Sequence, residues 1–267
     1  MELEAFRAAH AAAAVEIDGR EWRYIETKPA DDDAPALITL PGAFGAAELF
    51  WNQMAALGDR LRMVSVTLPA APEASQLADG VMALADHLGL GRFSLLGTSL
   101  GGFIAQLIAR DHSDRLDILF VANSLVRSEH LGSLPSKEQA EAATGAELRA
   151  RIVAGIEKAI ETEPAHTLLK ATLLDHGARC LSDDMIKTRL VMVADLDEPA
   201  VPDLPGDRIV VMESDDDKVI TPEGRAYMRA RYADSVVHTL QGGGHFPYVT
   251  RAVQYNGIIA GRLLDNR

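Results

Sequence analysis

The chain has 267 residues, enough for one large α/β domain or two small ones around a full core. It is 48% hydrophobic and 24% charged, the balance of a soluble globular protein, and 26 basic against 39 acidic side chains give a net charge of −13. That sign argues against nucleic acid or an anionic membrane as the main partner, and the lone cysteine, Cys180, excludes an intramolecular disulfide.

The opening stretch, MELEAFRAAHAAAAVEIDG, begins with acids and lacks the basic region and cleavage site of a leader. Its alanine run is too short and too polar at its flanks to span a membrane, so a cytoplasmic protein is expected. Glu21 to Thr27 alternates like an edge or antiparallel strand, and Asp31 to Pro35 breaks the chain. Ala36 to Gly42 is a continuous apolar run, as in a strand buried on both faces. Ala46 to Asp59 has helical spacing, Leu61 to Pro69 reads as the next buried strand, and Ala74 to Leu90 as a helix stopped by Gly91. A strand, RFSLLG, a helix, LGGFIAQLIARDH, and a strand from Arg115 to Asn123 continue the alternation. This order predicts an α/β doubly wound, mostly parallel sheet with helices on both faces.

From Val126 to about Ala200 only helix-like stretches occur: SKEQAEAATGAELRARIVAGIEKAI, PAHTLLKATLL and SDDMIKTRLVMVAD. Glu198 to Asp207 carries three prolines, after which RIVVMES, PEGRAYMRARYA, SVVHTL and AVQYNGIIAGRLLDN resume strand and helix in turn. The expected organisation is a core of residues 1–125 and 206–267, interrupted by a helical cap insertion over 126–205.

Gly97-Thr98-Ser99-Leu100-Gly101 matches the G-x-S-x-G nucleophile elbow. Glycines flank the serine because the strand must turn sharply into a helix with the serine backbone strained, and side chains there would collide. A serine hydroxyl is a poor nucleophile near neutral pH, so it needs a base, and the base needs an orienting acid. Of the eight histidines, His10, His87, His112, His130, His166, His176 and His238 have structural explanations in helices, turns or a strand face. His245 differs: it follows a late strand in a glycine-rich turn, QGGGHFPYV, ahead of the last helix. The acid should leave the end of the strand RIVVM, where Asp217 is chosen from the run ESDDDKVITPEG, with Asp216 as its rival. Two backbone N–H donors complete the constellation: Leu100 at the helix start, and Ala43 in the loop after ITLPG, with Phe44 as second choice. Cys180 reads as a small packed side chain rather than a nucleophile.

With these motifs in this order the sequence resembles the α/β-hydrolase fold family, through Pro41 to Gly45, Gly97 to Gly101, Asp217 and Gly244 to Pro247. A narrower resemblance is to the maspardin-type subgroup, carried by GTSLGGFIAQ, the strand ending ANS and GGGHFPYVTRA. That subgroup implies a non-hydrolytic binding or scaffold protein as an alternative, against which the presence of His245 favours an active enzyme. The chain departs from common relatives at Pro41, where many carry histidine, and at Ser214, where a glycine is usual. It also lacks an arginine-glycine turn after VTLP. The expectation is a serine hydrolase with the triad Ser99–His245–Asp217, acting on a small-molecule carbonyl compound, an ester first of all. A thioester, lactone or carbon–carbon substrate, and acyl transfer or cofactor-free peroxidase chemistry at the same triad, stay open. No metal or organic cofactor is implied.

Overall fold

The chain opens with a short helix, α1 (Leu3–Ala9), whose Phe6 is fully buried. A hairpin of β1 (Ala13–Ile17) and β2 (Arg20–Glu26) follows, turning at Asp18 and Gly19, both at positive φ (48° and 70°). Asp-Gly is the dipeptide a two-residue hairpin of this kind needs. Neither α1 nor β1 is among the elements expected from the sequence, because this alanine-rich start of small and charged residues carries little hydrophobic signal. The computed structural model describes residues 3–132, 134–159 and 163–265. Two predicted helical runs end on Ile160 and Asn266, which lie outside the described residues.

The alternation continues with β3 (Ala36–Leu40), a 3-10 turn (Ala47–Phe50) running into α2 (Trp51–Leu57), β4 (Arg62–Thr67), α3 (Ala74–His87), β5 (Phe93–Thr98), α4 (Leu100–Asp111) and β6 (Leu116–Ala122). Four helices come next: α5 (Lys137–Ala142), α6 (Gly145–Lys158), α7 (Pro164–Cys180) and α8 (Asp183–Val193). The final run is β7 (Ile209–Ser214), α9 (Pro222–Arg231), β8 (Val236–Leu240), α10 (Pro247–Thr250) and α11 (Ala252–Leu263). The eight strands form one sheet in the order β1-β2-β4-β3-β5-β6-β7-β8. The pairings β1·β2 and β2·β4 are antiparallel and the rest parallel, so this is the mostly parallel α/β sheet expected.

Successive strand residues point to opposite faces, and each face is covered by its own helices. Leu95 of β5 lies in the core layer that holds Leu77 and Val81 of α3, Ile104 and Ile108 of α4, and Met228 of α9. Its neighbour Leu96 lies in the opposite core layer, with Phe6 of α1, Met54 and Leu57 of α2, and Ile259 and Leu263 of α11. A third cluster, formed by Leu148, Ile186 and Leu190 of α6 and α8 with Leu181, closes on Ala46 and so seats the four-helix segment on the loop after β3. No helix among the described residues is long and apolar enough to cross a membrane.

Three predicted boundaries are corrected. The helix over 74–90 stops at Gly89, not Gly91. Gly89 has φ +68° and its N–H reaches Asp86 O, while the Leu90 N–H reaches Ala85 O, the Schellman arrangement that only a left-handed residue completes. The run over 46–59 begins as a 3-10 turn and becomes α-helical only at Trp51. The run over 136–160 breaks at Ala143, because Thr144 caps α6 in a reciprocal box with Glu147.

Candidate active site

Six parallel strands bring their C-terminal ends to one edge of the sheet, where ligands of such sheets collect. Ser99 stands at that edge between β5 and α4, half-buried, with φ 52° and ψ −122°. A non-glycine residue there costs roughly 1–3 kcal/mol, so its surroundings must impose it. They do. The Ser99 N–H lies 3.1 Å from Ala122 O and 3.2 Å from Asn123 O, and its carbonyl accepts the Ser124 hydroxyl at 2.8 Å. The glycines flanking it make room: a Cβ on Gly97 would lie 2.2 Å from Gly101 O, and one on Gly101 would lie 2.3 Å from Leu40 O. Gly42 is equally confined, since its Cβ would meet Ser99 Cβ at 3.0 Å. The elbow therefore rests on a backbone contact between β3 and the first turn of α4.

Asp217 lies in the turn after β7 and His245 in the turn after β8. The structure joins them: His245 Nδ1 is 2.9 Å from Asp217 Oδ2 and 3.1 Å from Oδ1. Oδ1 also accepts the backbone N–H groups of Val219 at 2.8 Å and Ile220 at 3.1 Å, and Oδ2 accepts the Asn123 amide at 2.9 Å. Burial works to raise the Asp217 carboxyl, but the adjacent imidazole, its hydrogen bond and the Asn123 and Ile220 donors outweigh it, and the group sits below its usual range. A carboxylate at Nδ1 makes that nitrogen the donor and leaves Nε2 as the basic one. The rival acid, Asp216, faces elsewhere. Its Oδ1 accepts the Gly244 N–H at 2.8 Å, while Asp215 Oδ1 accepts the Gly242 N–H at 2.8 Å. Both glycines have positive φ (60° and 64°), so the exposed carboxylates brace the left-handed turn that carries His245.

In the sequence Asn123 is marked only as the end of the strand from Arg115 and the middle of ANS, with no role of its own. In the structure its backbone carbonyl faces the Ser99 N–H, and its side-chain amide donates to Asp217, to Gly244 O at 3.2 Å and to Ser214 Oγ at 3.3 Å. It too has positive φ (42°), a conformation asparagine tolerates better than most residues. An Asn directly after a buried strand, neither cap nor turn former there, is the signal the sequence offers for it.

Leu100 opens α4, so its N–H has no acceptor within the helix. Ala43 and Phe44 lie in the loop after β3, which turns through a Gly45 N–H to Gly42 O bond of 3.0 Å. That loop is gripped from α8. Arg189, with no exposed surface, donates to Gly45 O at 2.7 Å, to Ala43 O at 3.2 Å and to Leu68 O. Burial lowers its guanidinium to about 9, so at neutral pH it is a cation held among carbonyl dipoles. Nothing in the sequence distinguishes it from a surface arginine of an amphipathic helix. The Phe44 ring packs on α7, where a Cβ on Gly177 would lie 2.4 Å from it.

Cys180 is half-buried at the end of α7, and desolvation pushes its thiol up to about 11, the opposite of an activated nucleophile. His238 projects from β8, and burial lowers its pKa.

A mostly parallel sheet with helices on both faces, and a strained serine on a strand-to-helix corner at its C-terminal edge, define the α/β-hydrolase class of fold. The chain belongs to the alpha/beta hydrolase family, whose sequence profile matches residues 37–257. Human maspardin is 26% identical over 254 residues, covering 93% of this chain and 80% of maspardin. Among solved structures, the enol-lactonase from Burkholderia xenovorans superposes with a TM-score of 0.76 at 17% identity, covering 94% of this chain and 99% of that one. Carboxylesterase CesB from Bacillus subtilis gives 0.66 at 16% identity, over 99% and 96% of the two chains.

Proposed function

We propose that the chain is a serine hydrolase of small carboxylic esters, with Ser99 as nucleophile, His245 as base and Asp217 as the acid that orients it. The observation that carries this reading is the His245–Asp217 pair, 2.9 Å apart, at the same sheet edge as a serine held at φ 52°. Ser99 Oγ attacks the carbonyl carbon as its proton passes to His245 Nε2. The N–H groups of Leu100 and Ala43, with Phe44 as the alternative donor, meet the charge that develops on the carbonyl oxygen, each contributing on the order of a hundred- to thousandfold in turnover. The imidazolium then gives its proton to the leaving alkoxide, which departs as alcohol. Water, deprotonated by the same imidazole, attacks the acyl-serine and releases the acid. Asp217 keeps its charge throughout, favouring the imidazolium that forms in each half-reaction. The helical segment over 126–205 is the cap that shapes the substrate space.

The likeness to maspardin favours a second reading, a binding protein on the same fold that does not turn over. The two separate cleanly. A fluorophosphonate probe should label the intact protein at Ser99, and Ser99→Ala should abolish the labelling. A folded protein that never labels, or that labels equally without Ser99, overturns the hydrolase reading. Nitrophenyl esters of graded acyl length, with and without an alcohol acceptor, then distinguish hydrolysis from acyl transfer.

A further inference from the structure

Where α7 meets the 3-10 turn after β3, three side chains of different ligand chemistry converge. A carboxylate oxygen of Glu48, a ring nitrogen of His176 and the sulfur of Cys180 all lie within 4.8 Å of one another. His176 and Cys180 are four residues apart on α7, so they share one helix face, and Glu48 comes from the turn opposite.

The second observation is the state of His176. Its side chain has no exposed surface, yet neither ring nitrogen has a hydrogen-bond partner. Buried polar atoms are nearly always bonded, and an imidazole with both nitrogens idle is a group built for a ligand. Glu48 is already oriented, because Arg7 bonds its carboxylate and that of Asp175, beside His176. Cys180 also borders a cavity of about 560 Å³, lined by Thr67, Ala70, Arg179 and Met185.

We infer that Glu48, His176 and Cys180 form a binding site for a divalent transition-metal ion, with zinc the ion whose chemistry fits. Mixed oxygen, nitrogen and sulfur donors exclude magnesium and calcium, which take oxygen, and match the ligand set of zinc. Bond lengths of zinc sites place neighbouring ligand atoms about 3.3–3.7 Å apart, so donors that lie within 4.8 Å of one another need to contract by no more than about 1.5 Å. On binding, the Cys180 thiol gives its proton to solvent and the thiolate takes the vacated position on the metal. One dipositive ion and the Arg7 guanidinium, set against the thiolate and the Glu48 and Asp175 carboxylates, leave no net charge in this cluster. A fourth position remains for water. The ion would tie α7, whose Gly177 touches Phe44, to the turn that follows the Ala43 loop. This site does not depend on the hydrolase reading.

The test uses the full chain, reduced and freed of metal with a chelator. Cobalt(II) is added as a spectroscopic probe and zinc is titrated in competition with a chromophoric chelator. The expected result is one ion per chain, a near-ultraviolet thiolate-to-cobalt charge-transfer band, and a metal-dependent rise in Tm. Cys180→Ser should remove the band, and Cys180→Ser and His176→Asn should each weaken zinc by about tenfold or more. If His176→Asn does not fold, Glu48→Gln takes its place, with circular dichroism checking the fold. Absence of the band in the wild type, or zinc affinity unchanged in the folded variants, overturns the proposal.

Discussion

Asn123 touches both ends of the proposed triad: its amide donates to Asp217 Oδ2 at 2.9 Å, and its backbone carbonyl lies 3.2 Å from the Ser99 N–H. A hydrogen bond to a charged group contributes about 1.5–3 kcal/mol, so Asn123→Ala should lower kcat/KM by roughly ten- to a hundredfold with little change in KM. Steady-state kinetics on a nitrophenyl ester check this. An unchanged kcat would show that the other Asp217 donors suffice.

The two neighbouring aspartates should behave differently. Asp217→Ala removes the partner of His245 Nδ1 and should cost about 10⁴-fold in kcat. Asp216→Ala releases only the Gly244 N–H and should leave most of the activity, as should Asp215→Ala at Gly242. Loss of Ser99 or His245 should cost on the order of a millionfold.

Acid stability follows from the same carboxylate. The folded Asp217 carboxyl lies below its ordinary 3.8, so as pH falls the unfolded chain takes up the proton first. The stabilisation is fully present above 3.8 and is lost as pH drops through the lower, folded value. Urea unfolding of wild type and Asp217→Asn should show a stability gap that narrows only on that acid limb.

Adding a methyl group at three glycines should give effects of different size and sign. Gly101→Ala drives a Cβ to within 2.3 Å of Leu40 O, backbone that cannot turn aside, and should cost about 3 kcal/mol or more along with the labelling of Ser99. Gly91→Ala meets nothing within 4 Å and should be close to neutral. Gly155→Ala, in the interior of α6 and also free of neighbours, should stabilise by roughly 0.5–1 kcal/mol. Thermal unfolding measures all three.

Arg189→Met removes the donor shared by the Gly45, Ala43 and Leu68 carbonyls and should cost about 2–3 kcal/mol of stability. Because the Ala43 loop loosens, kcat should fall more than KM rises. Arg189→Lys, with a single ammonium in place of the planar fork, should not rescue it.

The parallel sheet is legible in the sequence because each buried strand and amphipathic helix has its own period, and Leu95 and Leu96 face the opposite layers that period requires. Gly97 and Gly101 are legible for a steric reason, since their missing side chains are what the turn needs. Asn123 and Arg189 are not, because their meaning lies in partners 94 and 146 residues away in the chain. The strand β2 is legible as the alternating run from Glu21 to Thr27, whereas β1 is hidden by its small and charged residues, although Asp18-Gly19 marks the turn between them.

Arg189 has a consequence for how this protein can be taken apart. A cover that merely rests on a catalytic base can be trimmed away or exchanged for one of another shape, as one changes the nozzle on a tool. Here the segment we propose as the cover reaches down through Arg189 to the carbonyls of Ala43 and Gly45, so trimming α8 would remove the support of the loop after β3. Substrate range in this protein should therefore be altered by side chains within the helices, and grafting a foreign set of helices should yield a folded sheet with an unformed centre unless an arginine is carried across with them.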